Sequence, residues 1–124
     1  MRESRLWSLH MLSAAALLAL LSLHMGLMHY AAVMKFLGLA VDPVLGYAAV
    51  AARDRSVLVK VIYALLLGFA LYHGLYGARG VLREIWPSPR AGRAIDVGAV
   101  LFGLLVFGYG LAVLVLAGRP AGMM

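Results

Sequence analysis

The sequence predicts an all-α integral membrane protein with three transmembrane helices and a short interfacial helix. Three observations carry this. Of 124 residues, 65% are hydrophobic and 13% charged, and a domain so small is mostly surface, too little of it buried to hide that much apolar area from water. The apolar residues collect in three runs, each long enough for the ~20 residues that a helix needs to cross a bilayer. Within each run Leu, Ala and Val follow one another without alternation, and only helices or closed barrels satisfy their backbone in lipid, so the spans are helical. Nothing divides the chain, and residues 1–124 read as a single membrane domain.

The first span runs over residues 6–32. It is too long for a signal peptide, and no small-residue cleavage site precedes a water-soluble remainder. The connection that follows holds Asp42-Pro43, a helix cap with proline at the first helical position. The stretch VLGYAAVAAR comes next, closed by Arg53, Asp54 and Arg55, and predicts a short helix lying in the interface. The second span covers residues 57–82. WPSPRAGR follows, a basic turn broken by Pro87 and Pro89, and the third span covers residues 94–117. Neither an internal repeat nor a low-complexity segment is present.

The charge pattern sets the surroundings. The net charge is +6 and the chain has no cysteine, so it offers neither a disulfide nor a thiolate ligand. The basic residues sit between the apolar runs, which points to membrane-flanking loops rather than to nucleic acid. With the N-terminus inside, the inner side carries Arg2, Arg5, Arg79, Arg83, Arg90 and Arg93. The outer side carries Lys35, Arg53, Arg55, Lys60 and Arg119. The compact cluster at the second turn favours this orientation in the cell (inner, cytoplasmic) membrane.

Polar groups within a bilayer are costly and face the bundle interior or a cavity. Four histidines fall in or near the spans: His10, His24, His29 and His73. His10 and His29, near helix ends, suit hydrogen bonding or the headgroup level. At 100° per residue, Ala70, His73, Gly77 and Gly80 share one stripe of the second span. That stripe admits two accounts. One is close helix packing of the small-xxx-small kind. The other is a flat macrocycle lying against the glycines with the imidazole on its iron, as in b-type haem proteins. Counted at 1.5 Å per residue, His24 lies about 27 Å from Leu6 and His73 about 9 Å from Arg79. The two histidines are therefore at different levels and suit two haems rather than one, each haem completed by a partner chain.

The segment His73-Gly74-x-x-Gly77-x-Arg79-x-x-Leu82-x-Glu84 resembles the second-helix signature of the hydrophobic anchor subunits of succinate dehydrogenase (succinate:quinone oxidoreductase, complex II). Trp7, Ser13 and His24 keep the first-helix spacing of bacterial and archaeal members. The three-helix layout covers nearly the whole chain and looks most like the D-type anchor. The resemblance implies half of a haem-binding helical bundle, not catalytic alone. Its partners would be a second membrane anchor, an iron–sulfur subunit and a flavoprotein subunit, passing electrons from succinate to quinone in the lipid. His73 matches the axial haem ligand and His24 the ligand of a second haem b in two-haem members. Gly77 belongs to the haem environment. Arg79 is the candidate propionate partner, because a guanidinium grips carboxylates bidentately; snorkelling to headgroups is its other account. Arg83, Arg90 and Arg93 suit lipid phosphates or a docked subunit.

Two positions depart from the family pattern at the quinone site. Met11, with His10 beside it, stands where members carry an arginine, and Glu84-Ile85 replaces their Asp-Tyr pair. Ile85 cannot donate a hydrogen bond to quinone. Trp86 carries an indole N–H that can, and its alternative role is an aromatic-belt anchor. Ser13 and His10 are placed near the same level as possible donors. Glu84 is a candidate proton relay, or else a partner for an arginine. Two further readings stay open: a haem-b anchor of another quinone-linked dehydrogenase, and a haem-free structural subunit in which the glycines only pack helices.

Overall fold

The computed structural model describes residues 2–41 and 46–116. It contains four helices in those residues: α1 (Arg2–Phe36), α2 (Tyr47–Asp54), α3 (Val57–Ile85) and α4 (Pro89–Leu116). α1, α3 and α4 are long and apolar enough to cross a membrane. No strand is found among the described residues, so the all-α expectation holds.

α3 starts at Val57 as expected, while α1 and α3 end later and α4 starts earlier than expected, each for a chemical reason. α1 continues to Phe36 rather than to residue 32. Gly38 stops it, with φ of 78°, a conformation that costs a residue without Cβ little. Leu39 N–H reaches Met34 O at 3.0 Å and Gly38 N–H reaches Lys35 O at 3.0 Å, the paired bonds of a Schellman cap. The short helix predicted after the first span is α2. Its predicted cap at Asp42-Pro43 lies outside the described residues, and Gly46 precedes the helix without a side-chain bond. α3 runs to Ile85, where Trp86 N–H still bonds Leu82 O at 3.0 Å and Pro87 ends the series. α4 begins at Pro89, five residues before the predicted start of the third span at Ala94. Ser88 caps it by accepting from Ala91 N–H at 3.2 Å, and Pro89 occupies the first position, where its missing N–H costs nothing. Most of the predicted basic turn is thus the first turn of a helix.

α3 is the central helix, packing against α1 on one side, α4 on the other and α2 near its start. Three residues join α3 to α4, which forces antiparallel neighbours. α1 meets α3 at Leu6, His10, Ser13 and His24, with Leu17 and Leu20 half-buried between them, a 4-3-4-3-4 spacing of the kind a left-handed helix pair uses. The α3–α4 contact uses close glycines instead. A Cβ on Gly103 would lie 2.8 Å from Leu75 Cδ1, and one on Gly110 would collide with Leu67. The tightest glycines of that contact are therefore on α4, with Gly68 of α3 facing Phe107 at 3.4 Å. On the α3 stripe, Gly80 meets nothing within 4 Å and Ala70 is exposed, so only His73 and Gly77 of the predicted set face a neighbour.

No hydrophobic residue among those described is buried, and large apolar side chains such as Phe36 (89%) and Tyr109 (75%) are open. An apolar surface this extensive needs lipid or other chains around it. One residue alone among those described is buried, and it is polar: Ser13, 1% exposed.

Candidate functional site

Ser13 lies where α1 crosses α3, and a compact polar joint surrounds it. Its Oγ donates to His10 O at 2.6 Å, a bond back along its own helix. The same Oγ lies 3.3 Å from His73 Nδ1. His10 O is also 3.4 Å from His73 Nδ1. The proton positions follow from the donor inventory. A hydroxyl has one hydrogen, and Ser13 gives it to the carbonyl. Toward His73, Ser13 Oγ and His10 O can then only accept. The tautomer that satisfies both contacts donates from His73 Nδ1 and leaves the lone pair on Nε2. Nε2 makes no hydrogen bond among the described residues. A histidine that donates from one nitrogen to a carbonyl or hydroxyl is thereby oriented to ligate or accept at the other.

His10 completes the joint. Its ring stacks on His73 with centroids 4.1 Å apart and planes 9° from parallel. It meets the Tyr76 ring at 4.8 Å on its other side. A Cβ on Gly77 would touch His10 Cε1 at 3.9 Å. The space that Gly77 clears beside His73 is therefore filled by the imidazole of His10. His10 Nδ1 is buried and without a hydrogen-bond partner. Tyr72, one residue before His73, donates to Leu6 O at 3.0 Å and ties the start of α1 to α3.

About two to three turns beyond His73 along α3, Asp96 of α4 accepts from Arg79 Nε at 2.7 Å and from Arg83. Arg79 Cζ also lies 5.7 Å from the Tyr76 ring centroid, over its face. The guanidinium chosen from the sequence for a propionate thus holds a carboxylate of its own chain. Arg83, expected to face phosphates or a docked subunit, shares that carboxylate.

The remaining candidates are spread out. His24 meets the Tyr63 ring edge-on at 5.5 Å. Tyr63 precedes His73 by ten residues, which places His24 about 15 Å away along α3, in keeping with separate levels. His29 is exposed. Glu84 and Trp86 are exposed at the far end of α3. Thirteen residues separate Trp86 from His73, about 20 Å of helix. Ser13 and His10 gather at His73 and not at the level of Trp86, because the antiparallel pairing sets Leu6 beside Tyr72. Among the described residues no group of three or more His, Asp or Glu side chains is placed to hold a metal ion.

Sequence reasoning left out Asp96, Tyr72 and Tyr76. Asp96 carried a signal, being an acidic residue within one turn of a basic segment at the start of an apolar span.

Fold and site together define a bundle of three helices long and apolar enough to cross a membrane, with a histidine–serine joint inside one helix pair and an arginine–aspartate clamp in the other. Comparisons with family models, curated proteins and solved structures found no match to this chain.

Proposed function

We propose that this chain is a membrane-anchor subunit of a succinate dehydrogenase or fumarate reductase, holding haem b through His73. It sits in the inner (cytoplasmic) cell membrane with its N-terminus inside, beside a second anchor, an iron–sulfur subunit and a flavoprotein. Electrons leave through it to a membrane quinone. The observation that carries this reading is the contact of His73 Nδ1 with Ser13 Oγ at 3.3 Å and with His10 O at 3.4 Å. In the tautomer that donates from Nδ1 to Ser13 Oγ and His10 O, Nε2 keeps the lone pair that an iron needs. When bound, the haem supplies one-electron redox chemistry that no side chain here offers. The chain supplies the ligand, its orientation, and a positive charge at Arg79 shared with Asp96. His24 is the ligand proposed for a second haem at the other level. Trp86 and Glu84, at the end of α3 nearest the basic turn, are the residues proposed to meet quinone, with Ser13 and His10 serving His73.

The stacked His10 ring favours a second reading. It closes the slot at Gly77, as it would in a haem-free structural subunit whose polar joint only fixes helix register. A reduced-minus-oxidised spectrum of the purified complex separates the two. The anchor reading expects a b-type band that succinate reduces, lost in His73→Ala and in Gly77→Leu, where the new side chain presses on His10. A complex without a Soret band assigns the joint to packing. Reduction by formate or hydrogen in place of succinate assigns the anchor to another quinone-linked dehydrogenase.

A further inference from the structure

The contacts of Asp96 do not end at Arg79. Arg79 Nε donates to Asp96 Oδ1 at 2.7 Å. The same guanidinium lies over the Tyr76 ring, its Cζ 5.7 Å from the centroid, inside the ~6 Å at which an aromatic face attracts a cation. The Tyr76 ring meets His10 at 4.8 Å, with planes 35° apart. His10 in turn lies flat on His73 at 4.1 Å. Five side chains from three helices are thus in contact in series, from the first turns of α4 to the imidazole of α3.

We propose that Asp96 is a positioning residue for His73, acting through Arg79, Tyr76 and His10. Three observations carry this. The first is how His10 is held. Its Nδ1 is buried without a partner, and its side chain makes no hydrogen bond among the described residues. The plane of His10 therefore rests on the rings it touches, His73 and Tyr76. The second is the length of the bonds on His73 Nδ1, 3.3 and 3.4 Å. Both exceed the ~3.2 Å of a well-formed N–H···O bond, so the stack is a comparable part of what fixes the His73 ring. The third is the enclosure of Arg79, 16% exposed. Its place over Tyr76 follows from protein contacts, and the Asp96 bond is a charge-assisted one. Loss of the carboxylate frees the guanidinium from Tyr76, Tyr76 and His10 tilt, and the His73 ring loses the surface that holds its plane. The inference concerns the orientation of a ring and does not depend on the haem.

The full chain, labelled with ¹⁵N in its histidine rings and purified in detergent, provides the test by nuclear magnetic resonance. It has four histidines, each assigned by single substitution. One set of His73 signals is expected, with the proton on Nδ1. Asp96→Ala should turn it into a mixture of both tautomers, and Asp96→Glu should restore most of the single form. In a Tyr76→Leu chain the series is already cut, so His73 should be mixed and Asp96→Ala should add nothing. Gly110→Leu disturbs the α3–α4 contact at Leu67, away from the series, and should leave His73 as in the wild type. If the chain is isolated with haem on His73, the same comparisons are read from the electron paramagnetic resonance of the ferric haem, which follows the planes of its axial rings. Four results overturn the proposal: a His73 already mixed in the haem-free wild type, no response to Asp96→Ala, an equal response to Gly110→Leu, or a response to Asp96→Ala that persists in the Tyr76→Leu chain. Should Asp96→Ala fail to assemble, Tyr76 decides. Tyr76→Phe keeps the ring and should leave His73 unchanged, and an unchanged spectrum in Tyr76→Leu rejects the series.

Discussion

Ser13 is small, polar and buried, and the positions of two histidines depend on it. Removing its hydroxyl leaves His73 Nδ1 with only a long bond to His10 O at 3.4 Å. Ser13→Ala is therefore expected to lower stability by about 1 kcal/mol, within the range of polar contacts between membrane helices, read from unfolding in mixed detergent. Tyr72→Phe, which loses the bond to Leu6 O, should cost about as much or slightly less while leaving any haem spectrum unchanged. Trp86→Phe keeps the ring and deletes the donor. Slower succinate-to-quinone turnover with normal haem content is expected, and unchanged turnover would make Trp86 a membrane anchor only. At this scale the sequence exposed His73, because a lone imidazole flanked by glycines in an apolar run is conspicuous. It hid the role of His10. Position near a helix end pointed to the headgroups, and the stack depends on which residue of α3 lies opposite, a register set between helices.

Between elements, α3 and α4 are held by the Asp96 clamp at one end and by close glycines further along. Asp96 is about one-third exposed, so the clamp lies between a surface pair and a buried one. Asp96→Asn should cost about 1–2 kcal/mol, and a double-mutant cycle with Arg79→Gln should show the two changes to be less than additive. Gly103→Leu would force its side chain into Leu75 and cost about 1–3 kcal/mol as overpacking. Gly80→Leu points into open space and should be tolerated, whereas a packing stripe along α3 would make Gly80 the sensitive site. The sequence marked the glycines of α3 because they follow a histidine. The tightest packing glycines lie in α4, where no polar landmark singles out Gly103 and Gly110 from the glycines around them.

For the whole molecule, antiparallel pairing of α1 with α3 and of α3 with α4 puts the start of α1 and the α3–α4 turn at the same end. The connection from Leu37 to the start of α3 lies at the other. In the proposed orientation, Arg90 is inside and Leu39 outside. The chain has no cysteine, so single cysteines at these two exposed positions can be probed with an impermeant thiol reagent. Position 39 is expected to label in intact cells and position 90 only after permeabilisation. The reverse pattern would invert the topology.

Composition and run length were enough to determine a three-span helical membrane chain, because lipid leaves the backbone only one economical way to cross as isolated apolar segments. They also located His73 and the level difference from His24, since rise per residue is a local property. Tertiary structure alone decided that Ser13 and His10 attend His73, that Arg79 and Arg83 share Asp96, and that Trp86 stands about 20 Å from the joint. It also joined Asp96 to His73 through Arg79, Tyr76 and His10. These arise from the register and order of packing between helices whose surfaces are nearly all apolar. A uniform Leu, Ala and Val surface does not encode one register, and a few polar contacts between distant residues select it.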